Sequence, residues 1–311
     1  MKIKLALIFS IILLLNISTF SQNTYDFLRL DMSARAAALG GTFVSNTDDP
    51  NVIFYNPAGL KTLTGSPISF SFLKYLLDIN LASITYSTEL EKIGRVAAGI
   101  KYANYGRFTA ADEFGNITGD YGAGEIYFVL GYSNLIDKNF YYGVNAKFIY
   151  SSLADRSSSA IALDLGLNYN VPEQEFSVGF AILNAGTQLS SYYSTRENLP
   201  LDVTAGISKK LTYLPLRLSL DFHRLNDNQS NLFNHLNAFS IGAEFTLSKV
   251  LRLRLGYDNL KRQELKIGTL AGLAGFNVGL GAVVKGYSFD YGFSSWGAIG
   301  ALHRISLATT F

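Results

Sequence analysis

Few side chains in this sequence could do chemistry. The three histidines, His223, His235 and His303, are scattered along the chain, which speaks against a histidine metal centre. His223 or His303 could activate a serine only with nucleophile, base and a third orienting group in hydrogen-bond reach. No Gly-x-Ser-x-Gly elbow and no His-Glu-x-x-His pattern accompanies them. With zero cysteines, disulfides, thiolate metal ligands, cysteine nucleophiles and a lipidated N-terminal cysteine are excluded. The Gly-rich run 268–286 lacks phosphate-loop spacing, and alternating Gly on a strand more simply permits close backbone approach. Asn116-Ile117-Thr118 and Asn228-Gln229-Ser230 match the glycosylation tripeptide, but matches this short are common by chance. The expectation is a protein that is not an enzyme, with no metal and no cofactor.

What remains is a set of charges on the polar face of alternating segments: Arg217, Asp221, Glu244, Arg252 and Arg254, with Lys147, Asp164 and Arg304. Such a set could select or gate a passing solute. It could equally be a filled interior, where opposite charges pair because burial demands it. A pairing of Arg252 and Arg254 with Asp48 or Asp49 is the specific expectation.

These charges can converge only if strands position them. From about residue 68 the hydrophobic period is two. Over 140–151 Tyr142, Val144, Ala146, Phe148 and Tyr150 oppose Gly143, Asn145 and Lys147. Over 158–170 Ile161, Leu163, Leu165, Leu167 and Tyr169 oppose Asp164, Gly166 and Asn168. The alternation predicts fourteen strands, near 68–76, 79–89, 94–105, 122–135, 140–152, 158–170, 175–187, 200–210, 214–225, 236–248, 250–260, 273–284, 286–294 and 302–311. Many run past the usual strand length of about 5–6 residues and suffice for a tilted membrane strand, which needs roughly 9–11. Tight turns at 90–93, 136–139, 171–174, 211–213, 249 and 285 alternate with longer connections at 106–121, 188–199, 226–235, 261–272 and 295–301, although 77–78 and 153–157 fall on the long-loop side and are short. Short turns at one end, longer loops at the other and an even strand count are the signature of an outer-membrane barrel. Closure also removes the sheet edges that lipid would not tolerate. Tyr141, Tyr142, Tyr150, Tyr169 and Tyr257 fall near strand ends, as girdle residues do, and the last strand ends on Phe311.

Composition agrees. Of 311 residues 48% are hydrophobic and only 16% charged, against about 25% in soluble domains. There are 22 Phe and 19 Tyr. A net charge of +2 is no footprint for nucleic acid. Residues 1–21 read as a signal peptide, with Lys2 and Lys4 before the apolar stretch 5–15 and small Thr19 and Ser21 ahead of a cleavage before Gln22. No later segment reaches the length of a membrane helix. The outer membrane is therefore the expected location.

Residues 22–67 differ from the rest. The run Ser33-Ala34-Arg35-Ala36-Ala37-Ala38-Leu39 favours a short helix, stopped by Gly40-Gly41. Some 45 residues are too many for a lead-in and too apolar for a solvated tail, so they are expected inside the lumen as a plug. The domain reading is signal peptide 1–21, plug 22–67 and barrel 68–311. The fold class is all-β: a 14-stranded antiparallel transmembrane barrel with an N-terminal lumenal plug, or hatch.

Within the plug, Ile53-Phe54-Tyr55-Asn56-Pro57-Ala58-Gly59-Leu60 resembles the Asn-Pro-Ala hatch motif of FadL-type outer-membrane barrels; the plug-motif residues are Asn56, Pro57, Ala58 and Gly59. A longer combination is similar to the PorV/PorQ family of the type IX secretion system. It includes 27–30, 33–41, Tyr105-Gly106-Arg107-Phe108, Asp112-Glu113-Phe114-Gly115-Asn116, 164–169, Gly297-Ala298-Ile299-Gly300 and 303–307. Asp31-Met32 departs from the Pro-containing pair expected there. The resemblance implies an outer-membrane component that anchors a surface attachment complex, in which secreted cargo is processed and joined to lipopolysaccharide. The implied partners are a surface-exposed PorZ-like protein with PorU- and PorV-like proteins, and outer-membrane lipid or lipopolysaccharide. The longest outer connection, 106–121, is the candidate partner-binding loop through Arg107, Phe108, Asp112, Glu113 and Phe114, since aromatic and Arg side chains are the usual interface anchors. Those aromatics could instead sit at the membrane boundary. The alternative function within the superfamily is a FadL-like channel for hydrophobic small molecules.

Overall fold

The computed structural model describes residues 24–77, 79–227, 236–266 and 272–311. The expected signal peptide, His235 and parts of the 226–235 and 261–272 connections lie outside the described residues.

Fourteen antiparallel strands close into one barrel, each paired with its sequence neighbours and β1 paired with β14. They are β1 (Pro67–Lys74), β2 (Asn80–Leu90), β3 (Gly94–Ala111), β4 (Ile117–Asp137), β5 (Phe140–Leu153), β6 (Arg156–Val171), β7 (Phe176–Ser190), β8 (Asp202–Lys210), β9 (Leu216–Phe222), β10 (Phe239–Thr246), β11 (Leu251–Asp258), β12 (Phe276–Val284), β13 (Tyr287–Ser295) and β14 (Ala301–Thr310). The period-two pattern decides which face turns in. On β6 Ile161, Leu163 and Leu165 lie on the outer face, about half exposed, while Asp164 and Asn168 are buried. An apolar outside over a polar inside suits a wall between lipid and lumen.

The barrel is lopsided. Strands β3 to β7 run 18, 21, 14, 16 and 15 residues, whereas β8 to β13 run 7 to 9. At roughly 3.3 Å per residue, β4 is about 70 Å long, far more than a bilayer needs. The excess corrects one expectation: most of 106–121 is not loop. β3 continues to Ala111, β4 starts at Ile117, and only 112–116 connects them. The ladder there carries register shifts between Asn104 and Arg107 and between Ala110 and Ala111, irregularities that interrupt strict alternation.

Residues 24–66 pack against the inward face of the strands. The helix α1 (Ala34–Ala38) is capped by the Ser33 side chain, which accepts from the Ala36 N–H. It ends as the sequence predicts: the Gly41 N–H reaches the Ala36 carbonyl at 2.9 Å and the Gly40 N–H the Ala37 carbonyl at 3.0 Å. Both glycines have positive φ, the arrangement that satisfies a helix's last carbonyls. Two 3-10 turns follow, Pro50–Phe54 and Pro57–Thr62, each with Pro in its first turn and an Asp49 or Asn56 cap. The main hydrophobic cluster joins this segment to the wall. Phe27 and Phe54 flank Tyr127 at 5.8 and 6.0 Å between ring centroids, and each such buried side chain contributes about 1.5–3 kcal/mol.

Candidate functional site: the lumenal seat and the outer ribbon

A belt of inward-facing glycines receives the N-terminal segment. A Cβ added at Gly143 would stand 2.3 Å from the Pro57 carbonyl carbon, and at Gly166 2.1 Å from the Asn56 side-chain oxygen. On the neighbouring β7, one at Gly179 would stand 2.1 Å from the Val44 carbonyl oxygen, and on β11, further round the wall, one at Gly256 would stand 2.2 Å from the Gly40 nitrogen. Gly143 pairs with Gly166 and Gly279 with Gly292, so the glycines meet across neighbouring strands. Backbone lies on backbone there, which no other residue type permits.

Asn56 locks one side of this seat. Its Nδ2 donates to the carbonyls of Val44 at 2.7 Å and Leu167 at 3.0 Å, while its Oδ1 caps the Ala58 N–H at 3.1 Å. Pro57, Ala58 and Gly59 continue into the buried 3-10 turn, with Pro57 and Ala58 against Gly143 and Leu60 against Gly131. Asn56, Pro57 and Ala58 therefore share one contact surface with β5 and β6, while Gly59 lies against Val52 and Asn46 of the segment itself.

Charge locks the other side. Arg35, on α1, makes a two-pronged bond to Glu244, with Nε and Nη2 each 2.9 Å from a carboxylate oxygen. Its Nη1 lies 2.8 Å from Asp48 and 3.6 Å from Asp49. Glu244 also accepts from Arg254 at 2.6 Å, and Arg254 reaches Asp290 at 2.6 Å. Arg217 pairs with Asp48 at 3.5 Å. Asp221 accepts from the Val44 N–H at 2.9 Å. Burial raises the Asp48 pKa, but Arg35 and Arg217 outweigh it and hold that carboxyl well below the usual range. At Asp49 burial prevails and pushes the carboxyl up.

Four of the five expected network residues thus converge on the N-terminal segment or on each other, and one expected pairing is corrected. Arg254 meets Glu244, directly opposite on β10, and Asp290 rather than Asp48 or Asp49. Arg252 makes no ion pair or side-chain hydrogen bond among the described residues. The bond with Asp48 and Asp49 comes instead from Arg35, a lone charge in an alanine run that carried no sequence signal of the pairing. Elsewhere Lys147 pairs with Asp164 at 2.8 Å, and Arg304 donates to the Asp31 carbonyl at 2.7 Å. Lys261, on the outer helix α2 (Asn259–Glu264), reaches in to the Asp31 carboxylate at 3.2 Å.

A cavity of about 70 Å³ lies between the segment and β7 to β9. Its lining mixes Leu28 and Phe54 with Arg29, Asp31, Lys101 and His223. Three further polar atoms on lining residues, Arg29 Nε, Tyr55 Oη and Thr204 Oγ1, are buried without a protein partner. This chemistry suits water better than hydrocarbon. His303 is on the outer face, 2.7 Å from the Tyr291 hydroxyl. Among the described residues no cluster of three or more His, Asp or Glu could hold a metal ion.

The five candidate partner-binding residues lie away from the lumen, on the β3–β4 ribbon. Phe108 stacks on Tyr121 at 5.4 Å and 23°, beside exposed Arg107. Asp112 shapes the tip by accepting from the N–H groups of Phe114 and Asn116 at 2.9 and 2.8 Å. Glu113 is exposed and Phe114 is 82% exposed.

No family model matches the chain, and no curated protein is similar to it in sequence. Solved structures do match. The toluene transporter TbuX of Ralstonia pickettii has 13% identity over 90% of this chain and 98% of its own, with a TM-score of 0.61. The toluene transporter TodX of Pseudomonas putida has 14% identity over 92% and 98%, TM-score 0.57. A FadL homologue of Pseudomonas aeruginosa has 10% identity over 90% and 98%, TM-score 0.57. In fold, this chain is similar to FadL-type outer-membrane barrels.

Proposed function

We propose that this chain is an outer-membrane barrel, exported by cleavage before Gln22 and closed by its own N-terminal plug, that anchors a surface attachment complex of the type IX secretion kind. Its role is non-enzymatic. The observation that carries the reading is the filled lumen: backbone seated on a glycine belt, pinned by Asn56 and by the Arg35–Glu244–Arg254 ion pairs. The cavity beside Leu28 and Arg29, about 70 Å³ with a lining part apolar and part charged, is roughly half the ~150 Å³ apolar cavity that holds benzene. A closed barrel offers a rigid base without leaking solute, and the β3–β4 ribbon offers the surface. The partners are a PorZ-like surface protein, PorU- and PorV-like proteins, and lipid or lipopolysaccharide, as the sequence resemblance implies.

A second reading, a channel for hydrophobic small molecules, has its own support. TbuX and TodX are described as toluene transporters and CymD as a monoaromatic hydrocarbon channel, and the fold likeness leans towards this reading rather than the first. On the chain itself, the ladder shifts at Asn104/Arg107 and Leu163/Leu165 are places where a wall could part. One pair of measurements separates the two. The tagged barrel is extracted gently from outer membranes for mass spectrometry, and uptake of dilute labelled toluene is compared between intact cells with and without the barrel. Co-purifying surface proteins with no barrel-dependent uptake support the anchor; a barrel that elutes alone and passes toluene sinks it.

A further inference from the structure

Within the wall each strand has both backbone edges paired, but a strand that outruns its neighbours does not. β2 leaves β3 at the Asn80–Asn104 pair, and β5 joins β4 only at the Leu153–Ala123 pair. Residues 105–122 therefore form a ribbon paired only with itself, from Arg107–Gly122 to Ala111–Ile117. On the β4 side the Ala154 N–H still donates to the Gly122 carbonyl at 3.1 Å. On the β3 side, among the described residues, nothing covers the outer edge of 107–111. A Cβ added at Gly106, Gly115 or Gly119 would meet nothing within 4 Å, so the ribbon stands clear.

Proteins commonly guard such edges with lysine, proline or inward-pointing charge. The sequence of 107–111 is Arg-Phe-Thr-Ala-Ala, with one charge at its start, no proline, and Phe and Thr as good strand formers. The register shift next to Arg107 bends a ribbon away from its sheet. Beside the edge, the stacked Phe108 and Tyr121 form a flat aromatic plate. A row of unpaired N–H and C=O groups is complementary above all to another extended backbone.

We propose that 107–111 binds its surface partner by taking up one extended strand of that protein along the open β3 edge. Main-chain bonds from the alternate residues of 107–111 that face outward supply the affinity, and the Phe108–Tyr121 plate selects an aromatic or aliphatic side chain at an alternate position of the incoming strand. The inference rests on the attachment reading above.

The test is amide hydrogen exchange on the complex co-purified from outer membranes, set against the barrel purified alone. Exchange at the alternate, outward-facing amides of 107–111 is expected to slow by about tenfold or more on complex formation, with 117–121 unchanged. Two variants sharpen it. Successive strand residues send their N–H groups to opposite edges, so of Phe108→Pro and Thr109→Pro one removes an outer donor and the other a rung of the ribbon. The first kind is expected to lose the partner while the ribbon's own protection survives, with folding checked by heat-modifiable gel migration. A complex that forms with exchange at 107–111 unchanged overturns this proposal and leaves the attachment reading standing. A barrel that purifies alone overturns both. Protection that grows with barrel concentration in the absence of partner makes a second copy the occupant, which also overturns it.

Discussion

Gly143 and Gly122 sit on adjacent strands, and they show what the same residue does in two parts of one molecule. At Gly143 an added Cβ would come within 2.3 Å of the Pro57 backbone; at Gly122 its nearest neighbour, the Gly106 carbonyl oxygen, is 3.8 Å away. The first glycine is required by close approach, and the second sits in open space. The lumen is over-determined by sterics, hydrogen bonds and charge together, whereas the ribbon is held by one ladder and a turn. Stability and interaction are thereby divided between regions, since a surface that must receive a partner cannot already be fully satisfied.

The strongest way to break the lumenal side is through charge. Arg35→Met leaves Asp49 without a cation partner and Glu244 with Arg254 alone, and removing one member of a buried network costs about 3–5 kcal/mol. Urea titration of the barrel in detergent, read by intrinsic fluorescence, checks this. An unchanged midpoint would mean that the network contributes nothing to holding the segment.

Steric intrusion comes next. Gly143→Ala forces Pro57 off the wall and is expected to cost about 1–3 kcal/mol. Because the clash is with backbone rather than with a flexible tip, limited proteolysis should cut between 24 and 66 faster than in the parent barrel. Equal cutting rates would show that the segment shifts without loosening.

These two sites also show what the sequence revealed and what it hid. The strands were legible because one face meets apolar surroundings and the other a packed lumen. The fourteen observed ranges fall mostly within a few residues of those expected from alternation. The ribbon was not legible: beyond Asn104 neither face is buried, so the period that identifies a strand has no cause. Glu244 and Arg254 were both visible as inward charges, and their direct opposition follows from the β10–β11 register. Arg35 was hidden because its partner lies 209 residues away and α1 looks like a plain alanine helix. The glycines of β5 and β6 read only as the polar-face alternates of Asn145 and Asp164. Their role appears once the backbone of 56–58 is laid against them.

Asn56→Ala probes the same seat more gently. It removes one cap and two bonds to carbonyls, for an expected loss of about 1–2 kcal/mol. The destabilisation should be non-additive with Gly143→Ala, because both act on the Asn56–Pro57 contact. A double variant whose loss equals the sum would place the two residues in independent contacts.

The smallest effect belongs to the ribbon and completes the comparison. Gly122→Ala makes the same chemical change as Gly143→Ala, yet no neighbour lies closer than 3.8 Å to the new methyl and Gly122 has no positive φ. The expected change in stability is within about 0.5 kcal/mol, with a slight gain possible because alanine restricts the unfolded chain more than glycine does. The urea midpoints of the two alanine variants should therefore separate clearly. If Gly122→Ala loses as much as Gly143→Ala, the ribbon is as tightly enclosed as the lumen and its edge is not free. If both are neutral, the N-terminal segment does not press on the wall, and the case for a closed barrel loses its main support.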